Sequence, residues 1–291
     1  MSKLSENLYA GKKVITAELC PPKGNDFSAF IKNAEAVRDY VTAFNVTDNQ
    51  RSVMRVSPLV ASKILLEHGH EPIYQMTCRD RNRLAIQSDL LGASAFGIEN
   101  VLALTGDHVI SGDYKPAKPV FDLDAVQLLY TITCLSHGLD LAGKNLKGTP
   151  HFFSGAAINP SASNVEIHIW RMKQKIIHGA KFFQTQVIFD KEILQTFMSS
   201  VKNLDTKIIA GVILVKSAKM AKYLNDNVPG LIIPEWVTKE LESTPLERQM
   251  EAGIRICTQL INEFLPIADG VHVMAIHEEY RLPEIFRHVN I

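Results

Sequence analysis

The sequence predicts an α/β chain closed into a (β/α)8 TIM barrel. Three observations carry that prediction. Short apolar runs, the mark of strands buried on both faces, alternate with longer stretches of helical periodicity. The runs number eight, at spacings of roughly 30 to 40 residues, as a closed parallel barrel requires. No GxGxxG follows the first run, which removes the commonest reason to prefer an open, doubly wound sheet.

Taken in order, the predicted strands are Val14–Leu19, Ala43–Thr47, Ile73–Cys78, Val101–Leu104, Phe152–Ile158, Phe182–Phe189, Ile208–Val215 and Gly270–Ile276. Between the first two, Pro21-Pro22 and Gly24-Asn25-Asp26 break the chain before an amphipathic Phe27–Tyr40. Pro58–His68 has Ser57 as N-cap and proline at its first position, where the missing N–H costs nothing. Arg81–Phe96 follows Asp80 and stops at Gly97; Leu123–His137 follows Asp122 and stops at Gly138; Val165–His178 stops at Gly179. Lys191–Val201 starts after Asp190 and Ala218–Asn225 after Ser217. A long helix over Pro245–Phe264 precedes the eighth strand, and Leu282–Val289 closes the chain. No linker shows a composition shift, so residues 1–291 read as one barrel domain with no room for a separate regulatory domain.

Composition narrows the function. Lys+Arg and Asp+Glu both number 31 in 291 residues, so no net field draws nucleic acid or an anionic membrane. With 46% hydrophobic residues the chain is not disordered, and 16 Gly and 13 Pro without a period exclude a collagen-like fibre. The longest apolar run, Ile208–Val215, is far short of the roughly 18 residues that span a bilayer, and the first twenty residues lack an apolar signal core. Four well-separated cysteines without a CxxC pair read as reduced thiols of a cytoplasmic protein. Ten histidines show neither HExxH nor HxxEH spacing, which leaves no case for a metal.

In a barrel of this kind the chemistry sits at the C-terminal strand ends. Glu18 lies inside the first apolar strand. Burial favours its neutral form and suits it to general acid work, while a structural carboxylate held by an amide or an arginine is an equal reading. Asp107, after Thr105-Gly106, reads first as a turn residue and second as a ligand contact. Gln184 and Gln186 share one side of the sixth strand, as ligand contacts or as satisfied interior amides. The run Arg79-Asp80-Arg81-Asn82-Arg83 reads as a solvated helix start capped by Asp80, with an arginine for a phosphate as the alternative.

Together these segments resemble the methylenetetrahydrofolate reductase family, in its short, single-domain bacterial form. The resemblance runs from Val14 to Val289. It rests on Ala17-Glu18-Leu19-Cys20-Pro21-Pro22-Lys23, Asn45-Val46-Thr47, Thr77-Cys78-Arg79-Asp80-Arg81-Asn82, Leu104-Thr105-Gly106-Asp107 and Gly155-Ala156-Ala157-Ile158-Asn159-Pro160. It continues through Lys175–Ala180, Phe183-Gln184-Thr185-Gln186, Ile233-Pro234-Glu235-Trp236 and Asp269-Gly270-Val271-His272. The resemblance implies a flavoenzyme of one-carbon metabolism that interconverts 5,10-methylenetetrahydrofolate and 5-methyltetrahydrofolate by hydride transfer. It implies FAD, with FMN as the alternative, held by Thr47, Gln75, Thr105, Gly106, Asp107, Phe121, Ala157, Asn159 and Lys175. Glu18 and Asp107 match the catalytic residues, and these two with Gln186 match the folate contacts.

The electron donor implied is NAD(P)H or a protein, and self-association or a partner subunit is implied as well. The departures are specific. Asp48-Asn49-Gln50 replaces an aromatic residue and glycines, Gln75 a histidine, and Phe121 a tyrosine; Met274–Glu278 lacks the tyrosine and arginine that hold the folate. Two other readings fit the same pattern: a flavin-free pterin-binding methyl-transfer barrel, and a non-catalytic subunit of a folate-processing complex.

Overall fold

A computed structural model describes residues 1–162, 164–228 and 230–290. Eight parallel strands close in sequence order: β1 (Val14–Leu19), β2 (Ala43–Val46), β3 (Pro72–Thr77), β4 (Asn100–Leu104), β5 (Phe153–Ile158), β6 (Phe182–Val187), β7 (Lys207–Ile213) and β8 (Gly270–Met274). The seam is the β1–β8 pairing, with Val14 opposite Gly270 and Ala17 opposite Val273. Every apolar run becomes a strand, and most strands stop a residue or more earlier than the run because the last residues already turn into the loops.

The helices are α1 (Lys3–Tyr9), α2 (Ser28–Glu35), α3 (Pro58–Glu67), α4 (Arg83–Ala95), α5 (Ala125–Ser136), α6 (Val165–Ile177), α7 (Lys191–Val201), α8 (Ala218–Asn227), α9 (Glu235–Ser243), α10 (Gln249–Phe264) and α11 (Leu282–Phe286). Ser57, Asp190 and Ser217 cap α3, α7 and α8 as expected. Two predicted helix starts are corrected, Arg81 to Arg83 and Leu123 to Ala125. Asn82, not Asp80, accepts from the amides of Leu84 and Ala85, because Asp80 is engaged by the Arg79 guanidinium. Asp124, not Asp122, forms a capping box with Gln127, because Asp122 is held by Arg83. The helix expected from Pro245 begins with a 3-10 turn at Leu246–Arg248 and is α-helical only from Gln249. Helices α1 and α9 were not expected.

Strand alternation sorts side chains between two cores. Ile15, Ala17, Leu19, Phe44 and Val46 face the helices. Val14, Ala43, Ile73, Leu102, Phe153, Phe182 and Ile209 fill the barrel, where Leu4 and Leu8 of α1 plug the N-terminal end. Phe153 and Phe182 stack at 5.1 Å. Gly155 is required above them, since a Cβ there would lie 2.4 Å from the Phe182 ring. The plug is clamped by Glu71, whose carboxylate accepts from the Lys3 and Leu4 amides and from Asn100 Nδ2, while Ser2 Oγ donates to Asn100 Oδ1.

Above the apolar layer the barrel turns polar. Asn45 and Gln184, from strands on opposite sides of the ring, exchange two hydrogen bonds at 2.6 and 2.9 Å. Thr16 Oγ1 lies 3.0 Å from His272 Nδ1, and burial pushes the imidazole down to about 4, so it is neutral there. These side chains satisfy each other, and the reading of Gln184 as an interior amide holds.

The barrel mouth as candidate active site

At the C-terminal end of β1, Glu18 is 7% exposed. Burial pushes its carboxyl up to about 7; a hydrogen bond from Gln50 Nε2 to Oε1 at 3.0 Å opposes that shift, and the carboxylate of Glu279 beyond β8 adds to it. A carboxyl with this value is part neutral and part ionised near pH 7, the condition for giving and taking a proton. Thr47, buried at the end of β2, donates to Cys20 Sγ at 3.4 Å. Among the described residues no side chain bonds Glu18 Oε2.

The β2 and β3 exits are locked together. Asp48 is buried and accepts from the Thr77 amide and hydroxyl at 2.9 and 2.8 Å and from Arg81 at 2.7 Å; Arg81 also donates to Asp89. Arg79, 1% exposed, forks onto Asp80 and donates to the Asn49 carbonyl. The charge run expected to be solvated is therefore partly a buried scaffold. Arg79 holds main-chain carbonyls of the β2 exit and Arg81 the buried Asp48 carboxylate, while Arg83, paired with Asp122, is the arginine of the run that lies at the surface.

At the β4 exit Gly106 has φ +92°, and a Cβ there would meet Thr77 Cβ at 3.0 Å and Arg79 Cβ at 3.1 Å. Thr105 Oγ1 accepts from the Ala125 amide, and Asp107 is exposed with no hydrogen bond to its side chain among the described residues. Phe121, where this loop returns, has φ +42° and stacks on His108 at 6.2 Å. From β5, Ala157 and Asn159 are half-buried. Lys175 Nζ donates to the Ala157 carbonyl at 2.8 Å, and burial lowers its pKa. Gln75 lines the barrel and, like Asp107, has no hydrogen-bonded side-chain partner among the described residues.

Gln184 and Gln186 do not share an environment. The β6–β7 register shifts between Gln184 and Val187, with Thr185 Oγ1 taking the Gly211 amide; Gln184 stays buried and Gln186 is exposed. Sequence spacing cannot register such a bulge. Three mouth residues escaped the sequence reading as site candidates. Gln50 was visible only as part of a run that departs from the family. Arg51 Nη2 donates to Tyr223 Oη of α8 at 3.0 Å, across the β1 and β8 ends. Lys216, after β7, pairs with Glu278 and brings a cation to the place where β8 supplies none.

Backbone strain concentrates here. Asn49, Arg51, Ser52, Phe121, Ile276 and His277 are the non-glycine residues with left-handed φ among the described residues, and all lie in loops leaving β2, β4 or β8 at this face. A Cβ on Gly112 would lie 2.1 Å from the Ser52 carbonyl, so the β4 loop is keyed onto the β2 turn.

The chain is 21% identical over 250 residues to "Probable methylenetetrahydrofolate reductase (NADPH)" of Caenorhabditis elegans, a match covering 81% of this chain and 34% of that protein. The chain thus spans about a third of that relative's length. A solved structure of a Clostridium thermocellum protein, described as binding two copies of 5-methyl-5,6,7,8-tetrahydrofolic acid, superposes with a TM-score of 0.63 at 17% identity, covering 97% and 96% of the two chains. Tryptophan synthase from M. tuberculosis superposes at 0.52 with 14% identity, covering 98% and 96%. At such identities these likenesses show the barrel fold. The family model for methylenetetrahydrofolate reductase matches residues 3–290, and the chain belongs to that family.

Proposed function

We propose that this barrel is a flavin-dependent methylenetetrahydrofolate reductase in which Glu18 is the general acid. The observation that carries the reading is a buried carboxyl with a pKa of about 7 at the same barrel mouth as Gln75, Asp107 and Gln186, whose side chains have no hydrogen-bonded partner among the described residues. The Clostridium thermocellum neighbour, described as binding a methyl-folate in the same fold, supports folate as the ligand.

The donor set fits a flavin. Among the described residues the Gln75 carboxamide offers both a donor and an acceptor without competing partners and Asn159 Nδ2 offers a donor, its Oδ1 being taken by the Ser161 amide, and Gly106 lets the main chain at the β4 exit approach closely. Thr47, Gln75, Thr105, Gly106, Asp107, Phe121, Ala157 and Asn159 would hold the ring and ribityl chain. Lys175 would face the phosphates of FAD once released from the Ala157 carbonyl. Bound there, the flavin supplies hydride to the one-carbon unit. Glu18 protonates the folate's bridging nitrogen, so that its ring opens to an iminium; in the reverse direction its carboxylate recovers that proton. Asp107 and Gln186 orient the pterin. The electron donor is a reduced nicotinamide or a protein partner.

The test is a visible spectrum of the purified protein, then anaerobic addition of 5-methyltetrahydrofolate. Flavin bands that bleach support the reading. A colourless protein that still binds the folate points to methyl-transfer chemistry without flavin, and bands that do not bleach point to another substrate.

A further inference from the structure

We infer that Gln50 is a positioning residue for Glu18: its carboxamide, fixed over the barrel mouth by a left-handed turn tied to Tyr223, keeps Oε1 an acceptor and assigns the transferable proton to Oε2. The use of that proton rests on the reductase reading above; the placement of Gln50 does not.

The chemistry is directional. A carboxamide nitrogen can only donate, so Gln50 Nε2, 3.0 Å from Oε1, needs a lone pair there. In the neutral acid the carbonyl oxygen is the better acceptor, which leaves the hydroxyl on Oε2, the oxygen with no protein partner among the described residues. In the ionised form the same bond is charge-assisted and stronger. Gln50 therefore restrains a pKa that burial would otherwise carry further upward.

The turn that presents Gln50 is held from several directions. Asn49, Arg51 and Ser52 have φ of 46°, 55° and 56°, a sequence of conformations that persists only where surroundings impose it. The Asn49 carbonyl accepts from Arg79 at 3.1 Å, and Asn49 Oδ1 accepts from the Arg55 amide at 2.9 Å. Gly112 abuts the Ser52 carbonyl. On the far side Arg51 donates to Tyr223 Oη, with its guanidinium 5.8 Å from the ring centre. The other titratable groups acting on Glu18 are accounted for. Glu279 after β8 raises it. Cys20, just past the end of the same strand, is a thiol pushed up by burial, with Arg55 nearby, and His272 one layer deeper is neutral against Thr16.

The experiment is an infrared titration of the Glu18 carboxyl in the purified protein, isolated by subtracting Glu18→Gln, in wild type, Gln50→Met and Arg51→Ala. Methionine keeps the length of glutamine and removes the donor. Loss of one hydrogen bond to a charged group predicts an upward move of about one pH unit, tenfold in proton affinity, for Gln50→Met. Arg51→Ala, which frees the turn, moves the midpoint the same way by less. The pH limb of turnover moves in parallel. A Gln50→Met midpoint equal to wild type, or lower, overturns the inference, and should that variant not fold, an unmoved Arg51→Ala does so. If wild type shows no flavin bleaching by folate while Gln50→Met still moves the midpoint, the positioning stands and the reductase reading fails.

Discussion

The two ends of this barrel are built on opposite terms. At the N-terminal end Leu4 and Leu8 are fully buried in an apolar plug, and Glu71, Asn100 and Ser2 satisfy one another and the first amides of α1. At the C-terminal end, among the described residues, six non-glycine residues hold left-handed backbone, a carboxyl is buried with no cation paired to it, and the side chains of buried Gln75 and exposed Asp107 and Gln186 have no hydrogen-bonded partner. A fold that pairs its buried polar groups around the plug at one end and leaves several side chains open at the other separates what holds it together from what it acts with. Mutations at the two ends should fall into different assays.

The largest expected effect is at the mouth. Glu18→Gln should lower folate turnover by about 10²–10⁴-fold, the usual contribution of a positioned acid, with the thermal midpoint kept or raised because a buried ionisable group is gone. A variant of full activity would end the acid assignment. Next is the plug: Leu4→Ala should cost about 2–5 kcal/mol in denaturant unfolding and leave the turnover of the folded enzyme unchanged. A comparable loss of turnover in folded protein would show that the ends are coupled.

Between the ends, Asn45→Ala should cost about 1–3 kcal/mol by orphaning the Gln184 amide, and a double-mutant cycle with Gln184→Leu should show strong coupling. Additive losses would mean the pair contributes little. The smallest effect is a pH limb. The acid must be protonated in the direction of methyl-folate formation, so the rate should be level below about pH 7 and fall up to tenfold per unit above it. In the oxidative direction, where the carboxylate is needed, the limb reverses. A limb of the same sign in both directions would assign it to another group.

Much of this was readable in advance, for identifiable reasons. Strands buried on both faces leave short apolar runs, so all eight appeared close to their true bounds. Caps that do nothing else, such as Asp190 and Ser217, were read correctly, while Asp80 and Asp122 were misread because arginines engage them. Helix α1 is seven residues long and owes its place to the barrel it plugs, a tertiary cause that local pattern does not carry. Glu18 and Asp107 stood out because a carboxylate at a strand end is chemically conspicuous. Gln50 and Lys216 did not, since their roles depend on partners 32 and 62 residues away. The split between Gln184 and Gln186 lies in a bulge that leaves the alternation of residue types unchanged.

The reciprocal amide pair carries one more consequence. Strands β2 and β6 stand across the ring from each other, so Asn45 and Gln184 act as a tie-rod that sets the ring's width along that diameter. Thr47 and Gln186 each lie two residues beyond an anchor of the rod. Two walls four strands apart are thereby gauged to a common length, and a ligand spanning them meets a gap whose size is set below it, in the barrel.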